Sequence, residues 1–286
     1  MGMRVLISCH LCMCFFHTSQ IKAAVLDDGG YHLIDNPLYE RERVHVDLDA
    51  PTAGTQVEIV NGGLVGDLLL YNQSQATLSG GDITDDLSAF HEATINVIDG
   101  TINQQTTLND NTEMVISGGI IGTVHGYDQS TITLRDNSIT AEIKIGDDSS
   151  LEMHGGTVTD DIQTRQSGMV TIWDGAILNN LNGTDNGQIF VYGGTIGYLI
   201  NTIASATITF YGTFNFPYGP LPVGNINWPM RIPSGHLIGT LANGDPIDND
   251  FYIFDNSSII LAPIPEPTTL TLLALGGLAL RRMRKP

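Results

Sequence analysis

The chain has only three cysteines, and all of them, Cys9, Cys12 and Cys14, fall within its first fourteen residues. Beyond that point neither disulfides nor thiolate metal sites are available to it. Positive charge is nearly as scarce, with 12 Lys and Arg against 31 Asp and Glu in 286 residues. Four of the twelve, Arg281, Arg282, Arg284 and Lys285, close the chain, and Arg4 and Lys22 lie near its start. Between Val25 and Leu261 six basic residues stand against thirty acids, a net charge of −24. A body this acidic repels phosphate backbones and anionic lipid, which argues against nucleic acid as a partner. No nucleophile-base motif is present, and few cations are available to stabilise developing negative charge. What the chain does have is a hydrophobic share of 42%, enough for a packed core.

Both ends read as processing segments. A short basic start, Met1 to Arg4, leads into the apolar run Val5 to Phe16 and a polar stretch ending at Ala23-Ala24, the pattern of a signal peptide cleaved near Ala23 or Ala24. At the other end stand Pro265-Glu266-Pro267, the uncharged run Thr268 to Leu280, and then Arg281, Arg282, Arg284 and Lys285. The basic cluster orients the segment, since it stays on the cytoplasmic side and leaves everything before Pro265 outside. Thirteen residues at about 1.5 Å each give roughly 20 Å of helix, short of the ~30 Å hydrocarbon core. A transient span fits that length better than a permanent one.

The order Pro265-Glu266-Pro267, short apolar helix, terminal Arg cluster resembles the PEP-CTERM sorting signal of Gram-negative bacteria. The resemblance covers residues 265–286 and concerns delivery. It implies recognition by exosortase, signal-peptidase processing at the other end, transient anchoring, and a final place on the cell surface or in an exopolysaccharide-linked biofilm matrix.

Between the ends the chain repeats. One turn position is filled by Gly62, Gly81, Gly100, Gly119, Asn137, Gly156, Gly175, Gly194 and Thr213, at intervals of 19 residues with a single 18. Five and three residues before it stand apolar columns running from Val57 and Ile59 to Ile208 and Phe210. Two residues after it come Leu64, Ile83, Ile102, Ile121, Ile139, Val158, Ile177 and Ile196. Six after it come Leu68, Leu87, Thr106, His125, Ile143, Ile162, Leu181 and Ile200, with His125 breaking an apolar series. Period-two alternation, β-branched residues and a regular turn predict short strands stacked into a parallel β-solenoid, a right-handed β-helix of about nine coils. A β-sandwich is the alternative, but it does not require so regular a turn spacing. The predicted organisation is a signal peptide over 1–24, an N-terminal cap over 25–56, the solenoid over 57–213, a C-terminal cap over 214–261 and the sorting segment over 262–286. Just before the turn, Asn61, Gly80, Asp99, Gly118, Asp136, Gly155, Asp174 and Gly193 alternate acid or amide with glycine, which keeps like charges off adjacent rungs.

Three functional readings follow. The first is a non-catalytic, displayed structural or binding protein. The second is a polysaccharide-degrading enzyme, glycosidase or lyase. For it, Asp67 with Asp86 and Glu142 with Asp161 are vertical carboxylate pairs about 5 Å apart, near the separation retaining glycosidases use. The third is a calcium-dependent adhesin, because stacked carboxylates are hard-oxygen ligands. The glycine-aspartate nonapeptide of calcium-binding β-rolls is absent, and no cofactor is required by the first reading. Trp173 and Tyr192, one coil apart and pointing outward, form a surface pair that could stack on sugar rings.

Overall fold

The computed structural model describes residues 23–37, 39–48, 54–216, 219–220, 224–226 and 234–264. The signal-peptide segment and the sorting segment from Pro265 onward, including its short C-terminal helix, lie outside the described residues. What is described is all-β, a parallel β-solenoid of about ten turns where the sequence suggests about nine.

Each coil has three faces. Face A carries the strand that alternates Val57/Ile59, Ala76/Leu78, Ile95/Val97 and so on up to Ile259/Leu261, paired in parallel from Tyr31–Ile34 to Ser258–Ala262. Face B is a two-residue rung, such as Ile120-Ile121 on Thr101-Ile102. Face C carries Leu68/Leu70, Leu87/Ala89, Ile143/Ile145 and their equivalents, paired in parallel from Ala23–Leu26 up to Pro246–Ile253. Ten steps on face A at about 4.8 Å make a rod roughly 48 Å long. The inward columns of all three faces merge into one continuous core.

Two of the three corners turn through left-handed backbone. At the A-to-B corner the residue with positive φ is Gly62, Gly80, Gly100, Gly119, Asn137, Gly156, Gly175 or Gly194. This is the turn position the repeat marks, displaced by one residue at Gly80. At the C-to-A corner a second column has positive φ and no glycine at all: Asn72, His91, Asp110, Asp128, Asp147, Gln166, Asp185 and Ala204. Asn and Asp tolerate this region better than other side chains. Two residues further on the chain turns inward through a column of small residues, Ser74, Ala93, Thr112, Ser130, Ser149, Gly168, Gly187 and Ala206, all buried. Small side chains fit here because two faces converge on the same interior volume.

The 18-residue interval has a local cause. Ile121 pairs with Ile102, but Thr123 pairs with Gln105, so Gly122 alone spans what Asn103 and Gln104 span one coil below. A side chain at Gly122 would place its Cβ 1.9 Å from the Gln104 carbonyl oxygen. Two predicted columns are corrected, the first by this shortening and the second by separate one-residue shifts at the A-to-B corner. Val124 takes the buried face C position and His125 turns outward. On face B the inward residues are Val65 and Thr140; Leu64 and Ile139 point out, Ile139 being 42% exposed. A one-residue slip along a strand exchanges the two sides of the sheet. At the Thr140 rung it leaves a buried hydroxyl with no partner.

The two ends differ. Beyond the Thr207–Phe216 strand the chain leaves the coil, and Ser234–Leu241 returns antiparallel to that strand and to Pro246–Ile253. Pro246–Ile253 and Ser258–Ala262 then complete a last coil, and Gly224–Ile226 lies antiparallel along Ser258–Ala262. At the other end Ala23–Leu26 and Tyr31–Ile34 are first rungs that carry a neighbour on one side only among the described residues.

Candidate functional site

The outward side of face C gathers most of the residues singled out for chemistry. Asp67, Asp86, Glu142 and Asp161 all stand where the chain enters this face, and each suspected pair occupies neighbouring rungs, as the repeat requires. The two pairs are four rungs apart, about 19 Å, so they do not converge on one bond. Their hydrogen bonds explain why acids recur at this position. Asp67 Oδ1 accepts the N–H of Asp86 at 3.3 Å, Asp86 Oδ1 that of Gln105 at 3.0 Å, and Asp161 Oδ1 that of Asn180 at 2.9 Å. At this corner Asp67, Asp86 and Asp161 thus each receive a backbone donor from the coil above. Arg43 pairs with Asp67 at 3.0 Å, and Lys144 Nζ donates to Glu142 at 2.6 Å. Asp161 also accepts from the amides of Asn180 and Asn182, both at 2.9 Å.

A second ladder runs along the C-to-A corner in the opposite sense. His91 N–H donates to Asp110 Oδ2 at 2.8 Å, Asp110 N–H to Asp128 Oδ2 at 3.1 Å, and Asp147 N–H to Gln166 Oε1 at 2.9 Å. Aspartates therefore do stand on adjacent rungs here, with Asp110 and Asp128 each accepting a backbone N–H from the coil below, unlike the acid-glycine alternation at the A-to-B corner. There one rung of the alternation also has a steric origin. A Cβ on Gly155 would meet Asp136 Oδ1 at 1.9 Å, so the acid of one coil occupies the space a side chain of the next would need.

Above His125 the outward column of face C becomes a row of polar side chains, Lys144, Gln163, Asn182 and Asn201, ending in Tyr252. Asn201 Nδ2 donates to Asn182 Oδ1 at 2.8 Å, which links this row to Asp161. His125 is half-buried with Nε2 unpartnered, and burial holds its pKa below the ordinary value. His45, at the lower end of the same column, is likewise lowered by burial and stacks on Tyr71. On the C-terminal hairpin His236 sits between Asp248 at 2.6 Å and Asp250 at 2.7 Å, and hydrogen bonds to both carboxylates raise its pKa. Among the described residues no three His, Asp or Glu side chains gather as metal ligands.

The aromatic pair on face A is part of a longer stack. His154, Trp173, Tyr192 and Tyr211 follow one another at centroid distances of 6.2, 4.3 and 4.2 Å, their planes nearly parallel. Trp173, though 41% exposed, has both ring faces occupied, by His154 and by Tyr192. The stack therefore presents edges to solvent, which corrects the expectation that Trp173 and Tyr192 offer faces to sugar rings. Burial, with hydrogen bonding of the Tyr192 hydroxyl to the neighbouring Tyr211, pushes that hydroxyl up to about 12.

The last rung ends at Ala262, and the sorting segment follows at once. Residues 263–285 match the PEP-CTERM protein-sorting motif. This signal implies an exported, membrane-transiting protein processed by exosortase. The match takes in Pro265, Glu266 and Pro267 together with Arg281, Arg282, Arg284 and Lys285. No curated protein and no solved structure matches the chain. Among the described residues no helix is long and apolar enough to cross a membrane.

The sequence pointed to the acid columns and to the sorting tail, but not to the amide row or to the C-to-A corner. The corner had a visible signal, an Asn- and Asp-rich series at the same 19-residue interval. The amide row did not, because Gln163, Asn182 and Asn201 acquire meaning only once the rungs are stacked.

Proposed function

We infer that the body acts by being displayed: a rigid acidic rod, carried out by its leader, held briefly by its PEP-CTERM tail, then released to the cell surface or to an exopolysaccharide matrix, with no catalytic step of its own. The observation that carries this reading is the junction at Ala262, where the solenoid's final rung passes directly into the sorting motif. The rod's capped end is thereby the tethered one, and its first rungs lie furthest from the membrane. The reading of Asp67, Asp86, Glu142 and Asp161 as structural acceptors supports the non-catalytic part, since each is bound to a backbone amide, an arginine or a lysine. Calcium enters only as a counter-ion for the acidic corners.

Replacing Pro265, Glu266 and Pro267 with alanine in the native host tests the sorting step. The variant is expected to remain uncleaved in the membrane fraction while the wild-type body is released. Normal release of the variant would remove exosortase processing from the account. A measured polysaccharide-cleaving activity lost in Asp67→Asn, Asp86→Asn, Glu142→Gln or Asp161→Asn, with folding intact, would replace display by catalysis.

A further inference from the structure

We propose that the outer surface of face C, from the Lys144 rung to the Tyr252 rung, is a docking strip for one chain of a neutral polysaccharide. The proposal rests on the reading of the protein as a displayed, matrix-associated rod, and gives that rod a binding surface and a ligand class.

The strip is built before any ligand arrives. Asn201 donates to Asn182, Asn182 and Asn180 donate to Asp161, and Arg165 donates to Gln163 at 3.1 Å. A primary amide offers two donors and two acceptor sites. Asn182 uses one of each in this network and Asn201 uses one donor, so both keep capacity for hydroxyl groups. Side chains already fixed by one another lose little further freedom on binding, which lowers the entropic cost of association.

Charge selects the ligand. In a body of net −24 the charges along this strip are partnered, with Glu142 matched by Lys144, Asp161 surrounded by three N–H donors, and Asp248 and Asp250 beside the Tyr252 rung both bound by His236. An uncharged polyhydroxylated chain meets donors and acceptors here without a charge to bury unpaired, whereas a polyanion is repelled by the rest of the molecule. The shape is linear. Four rung steps from Lys144 to Tyr252 span about 19 Å, the length of several sugar units in a row and not of one.

An aromatic surface completes the strip. Tyr198, beside the Leu199 rung, is 62% exposed, and among the described residues no ring stacks on it. Its backbone is held by Asn249, which is 7% exposed and donates from Nδ2 to the carbonyls of Tyr198 at 3.0 Å and Ile196 at 2.8 Å. Tyr252 ends the row at 37% exposure. Binding surfaces for small polar ligands combine apolar or aromatic area with a few fixed polar groups; Tyr198 supplies the unstacked ring here, while Tyr252 stacks on Phe254 at 6.2 Å and adds its edge. The stacked rings of face A, with their faces occupied, supply no unstacked ring.

The test is native affinity electrophoresis of the full exported protein in gels containing dextran, a soluble β-glucan or a galactomannan, with alginate as the anionic probe. At least one neutral glycan is expected to retard the wild-type protein, alginate is not, and the retardation is expected to persist at high salt. Tyr198→Ala and the double variant Asn182→Ala/Asn201→Ala are expected to weaken apparent binding at least tenfold, while Trp173→Ala leaves it unchanged. Tyr198 is exposed, so its variant keeps the test decisive even if the double variant fails to fold. No retardation by any neutral probe, retardation by alginate alone, or binding indifferent to Tyr198→Ala in a folded protein would each overturn the proposal. None of these outcomes bears on tail processing, which is scored separately by release from the membrane.

Discussion

At the scale of single residues, the solenoid is most demanding where backbone passes close to backbone. Gly122 is the clearest case, because the shortened coil brings its Cα against the coil below and leaves 1.9 Å between a new Cβ and the Gln104 carbonyl oxygen. A carbonyl in a β-ladder cannot swing aside as a side chain would. Gly122→Ala is therefore expected to destabilise the protein by about 1–3 kcal/mol or more, read as a lowered urea midpoint. Gly244 provides the contrast: unlike Gly122 it has positive φ, but nothing lies within 4 Å of its Cβ direction, so Gly244→Ala carries only the backbone cost of about 1–2 kcal/mol. A clearly larger loss at Gly244 than at Gly122 would contradict the described path through the short coil. His236 gives a pH-dependent counterpart. Hydrogen bonds to Asp250 and Asp248 raise its pKa above the ordinary 6.5, so the protonated form is favoured by folding. That stabilisation is fully present below pH 6.5 and is lost as pH rises through the elevated folded value. A proton NMR titration should place His236 above 6.5, and Asp250→Asn with Asp248→Asn should return it there. Amide protection factors in the Ser234–Leu241 strand, corrected for the base-catalysed intrinsic rate, should fall between mildly acidic and mildly alkaline pH.

At the scale of strands and corners, the acid columns belong to the hydrogen bonding that joins coil to coil. Asp161 is the test piece, since it receives the N–H and side-chain amide of Asn180 and the amide of Asn182. Asp161→Ala strands these donors in a half-buried position and is expected to cost about 1–3 kcal/mol in urea unfolding. Asp161→Asn keeps an acceptor oxygen toward the Asn180 N–H and should recover most of that loss. If Asn were as damaging as Ala, the negative charge itself, not the acceptor, would be what the position requires. The elements were largely legible in the sequence for the same reason that these ladders exist. Residues at equal positions in successive coils see equal environments, so Val57 to Phe210 repeat in type and their inward facing could be read off. Legibility stopped where a coil departs from the period. The exchange at Leu64/Val65 and Ile139/Thr140 and the outward turn of His125 depend on where a residue is inserted or lost within the coil, and counting from one turn residue to the next does not locate it. The Trp173 stack shows a different limit. Spacing placed Trp173 and Tyr192 in one column, but whether their faces are free depends on ring orientation, and His154 and Tyr211 had to be seen to close the column at both sides.

At the scale of the whole molecule, charge outweighs every other feature. Six basic residues among thirty acids from Val25 to Leu261 put a large negative field around a slender rod, and the C-to-A corner stacks Asp110, Asp128 and Asp147 on consecutive rungs. Self-repulsion of this kind opposes the compact state and is screened over about 10 Å at 0.1 M ionic strength. The body should accordingly gain stability as salt is raised. Relief of about 1 kcal/mol corresponds to roughly 2–4 °C in Tm for a protein of this size. Because the described acids are spread along corners and tied to backbone donors, not gathered into a chelating set, the gain should depend on ionic strength and on ion valence rather than on ion identity. Thermal unfolding with NaCl, MgCl2 and CaCl2 distinguishes the cases. MgCl2 and CaCl2 at equal concentration are expected to raise Tm equally, each more than NaCl at the same ionic strength, since divalent ions neutralise stacked carboxylates more effectively. A Tm gain from micromolar Ca2+ that Mg2+ does not reproduce would show a specific site and bring the adhesin reading back. The same experiment bears on display. Under the proposed display, a rod that stiffens as cations condense on it would hold its distal rungs away from the surface most firmly where cations are abundant.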